Sequence, residues 1–336
     1  MSVTTEVSTA IQWRVRSAKH NTFFRQSTED CNEVFVLSPD RPFSCEKRPI
    51  PQLRNSRDVR VRIIATGLCG SDIHYWQHGR IGKYVVDGAI VLGHESAGIV
   101  EACGDDVKGL QECCFQLPEH ISFREGALVE PLSIAVHCCG LAGNVQGRTV
   151  AVFGAGPIGL LCCAVARAFG AAQVVIVEVA ESRLEFATKF SADHTYKMQS
   201  QSPEANANDL LRNAGITSGA DVVIDATGAE PCIECSVAVL KRGGVFVQAG
   251  LGSPRISFPI GQICDKEATL KGSFRYGPGD YKLAIELLNS KRICLEDLIT
   301  HEYTFADAEK AFNNVAGRTG IKTSIYGPDV HKNGMS

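Results

Sequence analysis

Cys69 sits in Gly67-Leu68-Cys69-Gly70-Ser71-Asp72, and His94 and Glu95 follow Gly93 some two dozen residues later. Thiolate, imidazole and carboxylate are three donor types that zinc accepts together, and a catalytic zinc needs three protein ligands and one open position. The cysteine comes straight after the alternation Val59-Arg60-Val61-Arg62-Ile63-Ile64, and the His-Glu pair after Ala89-Ile90-Val91-Leu92. Both settings predict strands whose ends release a loop toward a cleft. A buried cysteine or a hydrogen-bonded core histidine would account for any one of these residues alone. The three together, in glycine frames, point to a metal site.

Further along the pattern changes to one that handles phosphates. Thr149-Val150-Ala151-Val152-Phe153 predicts a short apolar strand, and Gly154-Ala155-Gly156-Pro157-Ile158-Gly159 follows at once. Residues 157–169 predict an apolar helix, and Val174-Val175-Ile176-Val177 a second strand ending at Glu178. A G-x-G-x-x-G between strand and helix, with an acid about 20 residues on, predicts a dinucleotide site. Gly154 permits the tight turn, Gly156 a close pyrophosphate, and Gly159 close helix–strand packing. Pro157 forfeits nothing in the first turn, and the amides there, Ile158 among them, face the phosphates with the positive end of the helix dipole. Glu178 accepts from the ribose hydroxyls and repels a 2′-phosphate, which favours NAD; Arg183 covers the adenine or softens that repulsion. Strands at 220–225 and 244–248, with their loops, continue a doubly wound parallel sheet, and Thr227, Gly250 and Leu251 are expected beside the nicotinamide.

The 336 residues suffice for two cores. A net charge of −3 gives no reason to expect nucleic acid or an anionic membrane as partner, and no apolar run nears the ~20 residues of a bilayer span. The first residues lack a secretory core; Arg14, Arg16, Lys19 and Arg25 give a faint transit-peptide flavour, but the composition predicts a poorly ordered leader. Three of the 14 cysteines' groupings are adjacent doublets, Cys113-Cys114, Cys138-Cys139 and Cys162-Cys163, where no ordinary bridge forms. A reducing, cytoplasmic setting follows. Cys232 and Cys235 form a lone C-x-x-C in a helical stretch and read as neighbours on one helix face.

These pieces resemble the zinc-dependent medium-chain dehydrogenases, in particular the polyol branch that holds xylitol and sorbitol dehydrogenases. The resemblance rests on residues 67–76, Gly93-His94-Glu95-Ser96-Ala97-Gly98, Ala127-Leu128-Val129-Glu130-Pro131-Leu132-Ser133, residues 152–171 and Lys271-Gly272-Ser273-Phe274-Arg275-Tyr276. It implies an α/β protein: a doubly wound parallel Rossmann sheet plus a GroES-like, mainly β catalytic domain. The expected organisation is a leader over 1–33, the first part of the catalytic domain over 34–142, the NAD-binding domain over 143–272 and a return to the catalytic domain over 273–336. Cys69, His94 and Glu95 match the catalytic zinc positions, and Glu130 the acid that holds the metal's water or joins as a ligand. Ser71 and Tyr75 match positions beside the substrate hydroxyl, and Arg275 and Tyr276 polyol-facing positions; Phe274 and Arg275 also fall in the cofactor set. The implied reaction moves a hydride between a secondary alcohol of a polyol and NAD, with zinc bringing the hydroxyl within reach of ionisation. Ser71 and His74 are candidates for passing the proton outward. Relatives are commonly homo-oligomers, so a dimer or tetramer is expected.

The resemblance breaks once. Between Val107-Lys108-Gly109-Leu110 and Phe115-Gln116-Leu117-Pro118 stand only Gln111-Glu112-Cys113-Cys114, where the family carries strands, a four-cysteine structural-zinc lobe in many members, and pocket wall. The chain is thus truncated relative to the family, and one catalytic zinc but no structural zinc is expected. Lost strands leave unpaired edges and bare apolar surface. Three readings follow: a functional variant that closes its core differently, a degenerate nucleotide-binding relative, or a gene model from which coding sequence was removed. A remodelled wall would also admit a specialised metabolite in place of a polyol.

Overall fold

The computed structural model describes residues 11–14, 31–40, 43–81, 84–107 and 114–330. The chain forms two units, one reaching to Glu130 and resuming at Leu295, the other spanning Pro131–Cys294.

In the first unit the alternating sequence after Asp58 forms the strand Val59–Gly67. It pairs antiparallel with Glu95–Cys103 in a register that sets Gly67 opposite Glu95. On its other side the strand Lys322–Tyr326 pairs antiparallel, with Ser324 opposite Gly67, and Ile299–Tyr303 lies beyond. Two apolar clusters hold this sheet. Ile64, Ala65, Ala97, Ile99, Ala127 and Tyr326 pack on one side. Leu68, Ile73, Ala311, Phe312 and Ile325 form the other, with Phe35, Phe43 and Trp76 against them. Their burial fixes the two strand ends and the helix Gly70–His78 from which the metal candidates project.

Between the strands that flank the predicted break stands a segment from the start of the chain. Ile11–Arg14 is a strand, parallel to both neighbours, lying between Glu95–Cys103 and Cys114–Gln116; Ile11 is opposite both Ser96 and Cys114. This segment and Cys31, which opens the strand Cys31–Leu37, both fall within the span read as a poorly ordered leader. Sequence composition missed them because strand addition draws on backbone groups, to which composition is blind. Residues 1–10 and 15–30 of that span, with Arg16, Lys19 and Arg25, and the residues 108–113 at the break lie outside the described residues.

The second unit carries a wholly parallel sheet. Its order is His194–Lys197, Gln173–Glu178, Thr149–Phe153, Ala220–Asp225, Leu240–Gln248, Thr269–Gly272. Numbered along the unit this is 3-2-1-4-5-6, the doubly wound order, with its switch point between Thr149–Phe153 and Ala220–Asp225. The unit boundaries fall at 130/131 and 294/295 rather than at 142/143 and 272/273. The helix Val129–Ala142 is apolar nearly all round, and it holds the later segment to itself: His137 Nδ1 lies 2.9 Å from Asp280 Oδ2 and Cys138 Sγ 3.2 Å from Ser273 Oγ. Cys232 and Cys235 share the helix Glu230–Val239, one turn apart. No disulfide joins the described cysteines to one another.

Candidate metal centre and cofactor site

Cys69 caps the helix Gly70–His78, just past the strand that ends at Gly67. His94 precedes, and Glu95 opens, the antiparallel strand beside it. One ligand atom from each of the three lies within 4.8 Å of the others. The fit depends on Gly67: a Cβ there would stand 2.2 Å from Glu95 Oε2, so a side chain would displace the carboxylate. A thiolate, an imidazole and a carboxylate so placed are a donor set that suits zinc.

Asp72, quoted in the cysteine motif but given no role from sequence, orders two of these residues. Its Oδ2 accepts the backbone N–H of Cys69 at 3.0 Å, and its Oδ1 lies 3.4 Å from His94 Nδ1. The carboxylate is buried. A carboxylate behind a metal-binding histidine sets the tautomer and raises the basicity of the nitrogen that faces the metal, here Nε2. Burial works against a charged His94 ring, but hydrogen bonds to Asp72 and Cys69, and their charges, outweigh it and place its pKa at about 12. A metal at the same nitrogen would have to displace that proton, with the Asp72 and Cys69 charges attracting either cation.

Lys322 is the second residue that sequence reading missed. Its Nζ lies 2.6 Å from Glu95 Oε1 and 2.5 Å from Oε2, with Lys322 3% and Glu95 1% exposed. Burial lowers the ammonium's pKa, yet the charges of Glu95, Cys69 and Glu130 bring the net shift upward. No local pattern could reveal it, since 227 positions separate Lys322 from Glu95. Glu130 is buried and close enough to act on Lys322, though it is not one of the converging three. Ser71 Oγ lies 3.4 Å from His94 Nε2; Tyr75 is half-buried and His74 exposed on the same helix.

In the second unit Gly156 caps the helix Pro157–Ala168, with Pro157 in its first turn. A Cβ on Gly159 would fall 1.8 Å from Gly154 O, the close helix–strand approach read from sequence. Glu178 ends its strand with a carboxylate that accepts Ala155 N–H at 2.9 Å and the N–H groups of Val179 and Ala180 at 2.7 and 3.2 Å. The acid is thereby fixed against the glycine-rich turn, with lone pairs left for ribose hydroxyls. Arg183 is half-buried on the following helix. Thr227 and Gly250 lie in adjoining loops at the C-terminal ends of neighbouring strands; Leu251 and Phe274 are exposed. Arg275 has a left-handed backbone (φ 58) and stacks over Phe274 at 5.5 Å, while Tyr276 packs edge-on against Tyr281. Among the described residues no helix is long and apolar enough to cross a membrane.

Comparison with known proteins agrees with this fold. Residues 157–290 match the zinc-binding dehydrogenase family and residues 55–113 the alcohol dehydrogenase GroES-like domain. The chain is 43% identical to the probable D-xylulose reductase A of Aspergillus clavatus, over 90% of this chain and 98% of that one. To D-xylulose reductase A of Aspergillus niger it is 41% identical, over 90% and 99%. That second match runs over 354 residues, more than the 336 of this chain, so the relative carries residues that have no counterpart here. The fold is shared with L-idonate 5-dehydrogenase from Escherichia coli (TM-score 0.78, 24% identity, 88% of this chain and 98% of that one). It is likewise shared with 2R,3R-butanediol dehydrogenase from Bacillus subtilis (TM-score 0.77, 21% identity, 88% and 99%).

Proposed function

The chain belongs to the zinc-dependent medium-chain dehydrogenases, with a GroES-like domain beside a Rossmann domain, and from that membership we propose that it is a zinc- and NAD-dependent polyol dehydrogenase of the xylitol type. The observation that carries this reading is the convergence of Cys69, His94 and Glu95 in a chain whose other unit is a dinucleotide-binding sheet. Glu178, anchored to the glycine-rich turn, favours NAD over NADP by repelling a 2′-phosphate. One catalytic zinc without a structural one fits the absence of any group of four closely spaced cysteines from the sequence. Free cysteines suit the cytoplasm. A homo-oligomer fits the edge strand Thr269–Gly272, where Leu270 is 48% exposed. Neither a specialised metabolite nor a non-catalytic role is favoured, since relatives named as D-xylulose reductases match along 90% of the chain.

Cys69, His94 and Glu95 would hold the metal, with Glu130 in reserve. When bound, zinc supplies Lewis acidity that lowers the pKa of a secondary hydroxyl, and NAD supplies the hydride acceptor. We assign Ser71, whose Oγ lies 3.4 Å from His94 Nε2, to taking the hydroxyl proton, and the exposed His74, one turn on, to handing it to water. The family resemblance would give Tyr75, Arg275 and Tyr276 the task of orienting the remaining hydroxyls. The test is purified protein with xylitol and NAD: NADH should form, sorbitol should be a slower substrate, and a chelator should abolish turnover. Protein that binds zinc and NADH yet oxidises neither polyol would overturn the substrate assignment.

A further inference from the structure

Asp225 ends the strand Ala220–Asp225 at the switch point of the parallel sheet, opposite Phe153 in register, and is fully buried. Its carboxylate gathers donors from both loops beside it. Oδ1 accepts the N–H groups of Thr227 at 3.1 Å and Gly228 at 2.7 Å, and Nε2 of Gln248 at 2.9 Å. Oδ2 accepts the hydroxyl of Thr227 at 2.9 Å. That hydroxyl is itself an acceptor for Ala229 N–H, so its hydrogen points to the acid. The backbone oxygen of Asp225 takes the N–H groups of Ala249 and Gly250, both at 2.8 Å.

Partners that only donate call for an acceptor-only group, which is the ionised carboxylate. Yet no ion pair among the described residues involves Asp225. Burial pushes its pKa up, and the four hydrogen bonds offset this only in part. A buried anion without a counter-cation is costly. This one stands behind Thr227 and Gly250, at the end of the sheet where dinucleotides bind.

We propose that Asp225 is the charge by which the cofactor unit tells oxidised from reduced nicotinamide. The oxidised ring is a cation and supplies the countercharge that the carboxylate lacks; the reduced ring is neutral and does not. Asp225 thus favours loading with NAD⁺ and departure of NADH, the direction of polyol oxidation. This rests on the NAD reading above.

The test is direct binding to the full-length zinc-loaded protein, NADH by its fluorescence and NAD⁺ by calorimetry. Asp225→Asn keeps the shape: an amide oxygen can serve the three donors at Oδ1, and its NH₂ can donate to the Thr227 hydroxyl. Affinity for NAD⁺ should fall on the order of ten-fold, as losing one unlike charge near a cation inside a protein implies, with NADH changed less than about two-fold. Gln248→Lys sets an ammonium beside Asp225 and should also weaken NAD⁺ selectively; it carries the test if Asp225→Asn does not fold. Equal loss of both forms marks a merely structural acid and overturns the proposal, as does an unchanged ratio. Failure of the unaltered protein to bind either form overturns the NAD reading, and the proposal with it.

Discussion

Asp72 and Lys322 show how much of a candidate metal site lies outside its three donors. Asp72→Asn keeps size and burial but weakens the hold on His94 Nδ1. Zinc affinity should fall about 10- to 100-fold, the usual effect of losing such a partner, as read by competition with a chromophoric chelator at unchanged far-ultraviolet dichroism. Lys322→Met leaves Glu95 buried without its cation. Breaking a buried pair from one side costs about 3–5 kcal/mol, so denaturant melts in chelator should show a loss of that order. With zinc added the loss should shrink, because the metal then balances the same carboxylate. An equal loss in both media would mean that Lys322 and zinc do not share Glu95. Of the converging atoms, Cys69, His94 and Glu95 were legible by type and glycine frame, whereas nothing near Lys322 in sequence marks it as their neighbour.

At the scale of elements, strand edges and loop ends carry the chemistry, and side chains stitch them together. Asp221 is an example within the parallel sheet. Its Oδ2 accepts Thr149 N–H at 2.9 Å, and its Oδ1 pairs with Lys241, joining three adjacent strands. Burial raises the pKa of its carboxyl, but Lys241 and the Thr149 N–H outweigh this and leave it below its ordinary 3.8. A folded value below the unfolded one gives stability that is complete above the unfolded pKa and lost as pH falls through the folded pKa. Asp221→Asn should therefore destabilise by about 1 kcal/mol near neutrality, Lys241 being partly exposed, and by much less in acid below both values. Thermal melts against pH check this, and a mutational effect that grows in acid would contradict it. Asp225, four residues on, shifts the opposite way because no cation offsets its burial. The strands themselves were legible from apolar runs, but which acid has a cation beside it was not.

For the whole molecule the decisive feature is the strand Ile11–Arg14, which fills the place between Glu95–Cys103 and Cys114–Gln116. Ser96, its partner in register, directly follows Glu95, so the strand borders the metal site. Removing residues 1–16 should lower the melting temperature by at least about 2–4 °C, the size of a 1 kcal/mol loss in a unit this large, and reduce zinc content. A synthetic peptide of that segment should restore both by adding back as a strand. A truncated protein with full stability and zinc would show that the sheet closes without it. By itself the sequence determined the three donor types that converge, the glycine-rich turn between strand and helix with an acid at the next strand's end, and the two-domain class, because each depends on residue types at short spacing or on apolar periodicity. Only the tertiary structure decided that Lys322 pairs with Glu95, that Asp225 lies buried without a cation among the described residues, where the two units divide, and that Ile11–Arg14 lies between Glu95–Cys103 and Cys114–Gln116. Those are matters of long-range pairing, and burial with its electrostatic consequences exists only once distant segments have been brought together.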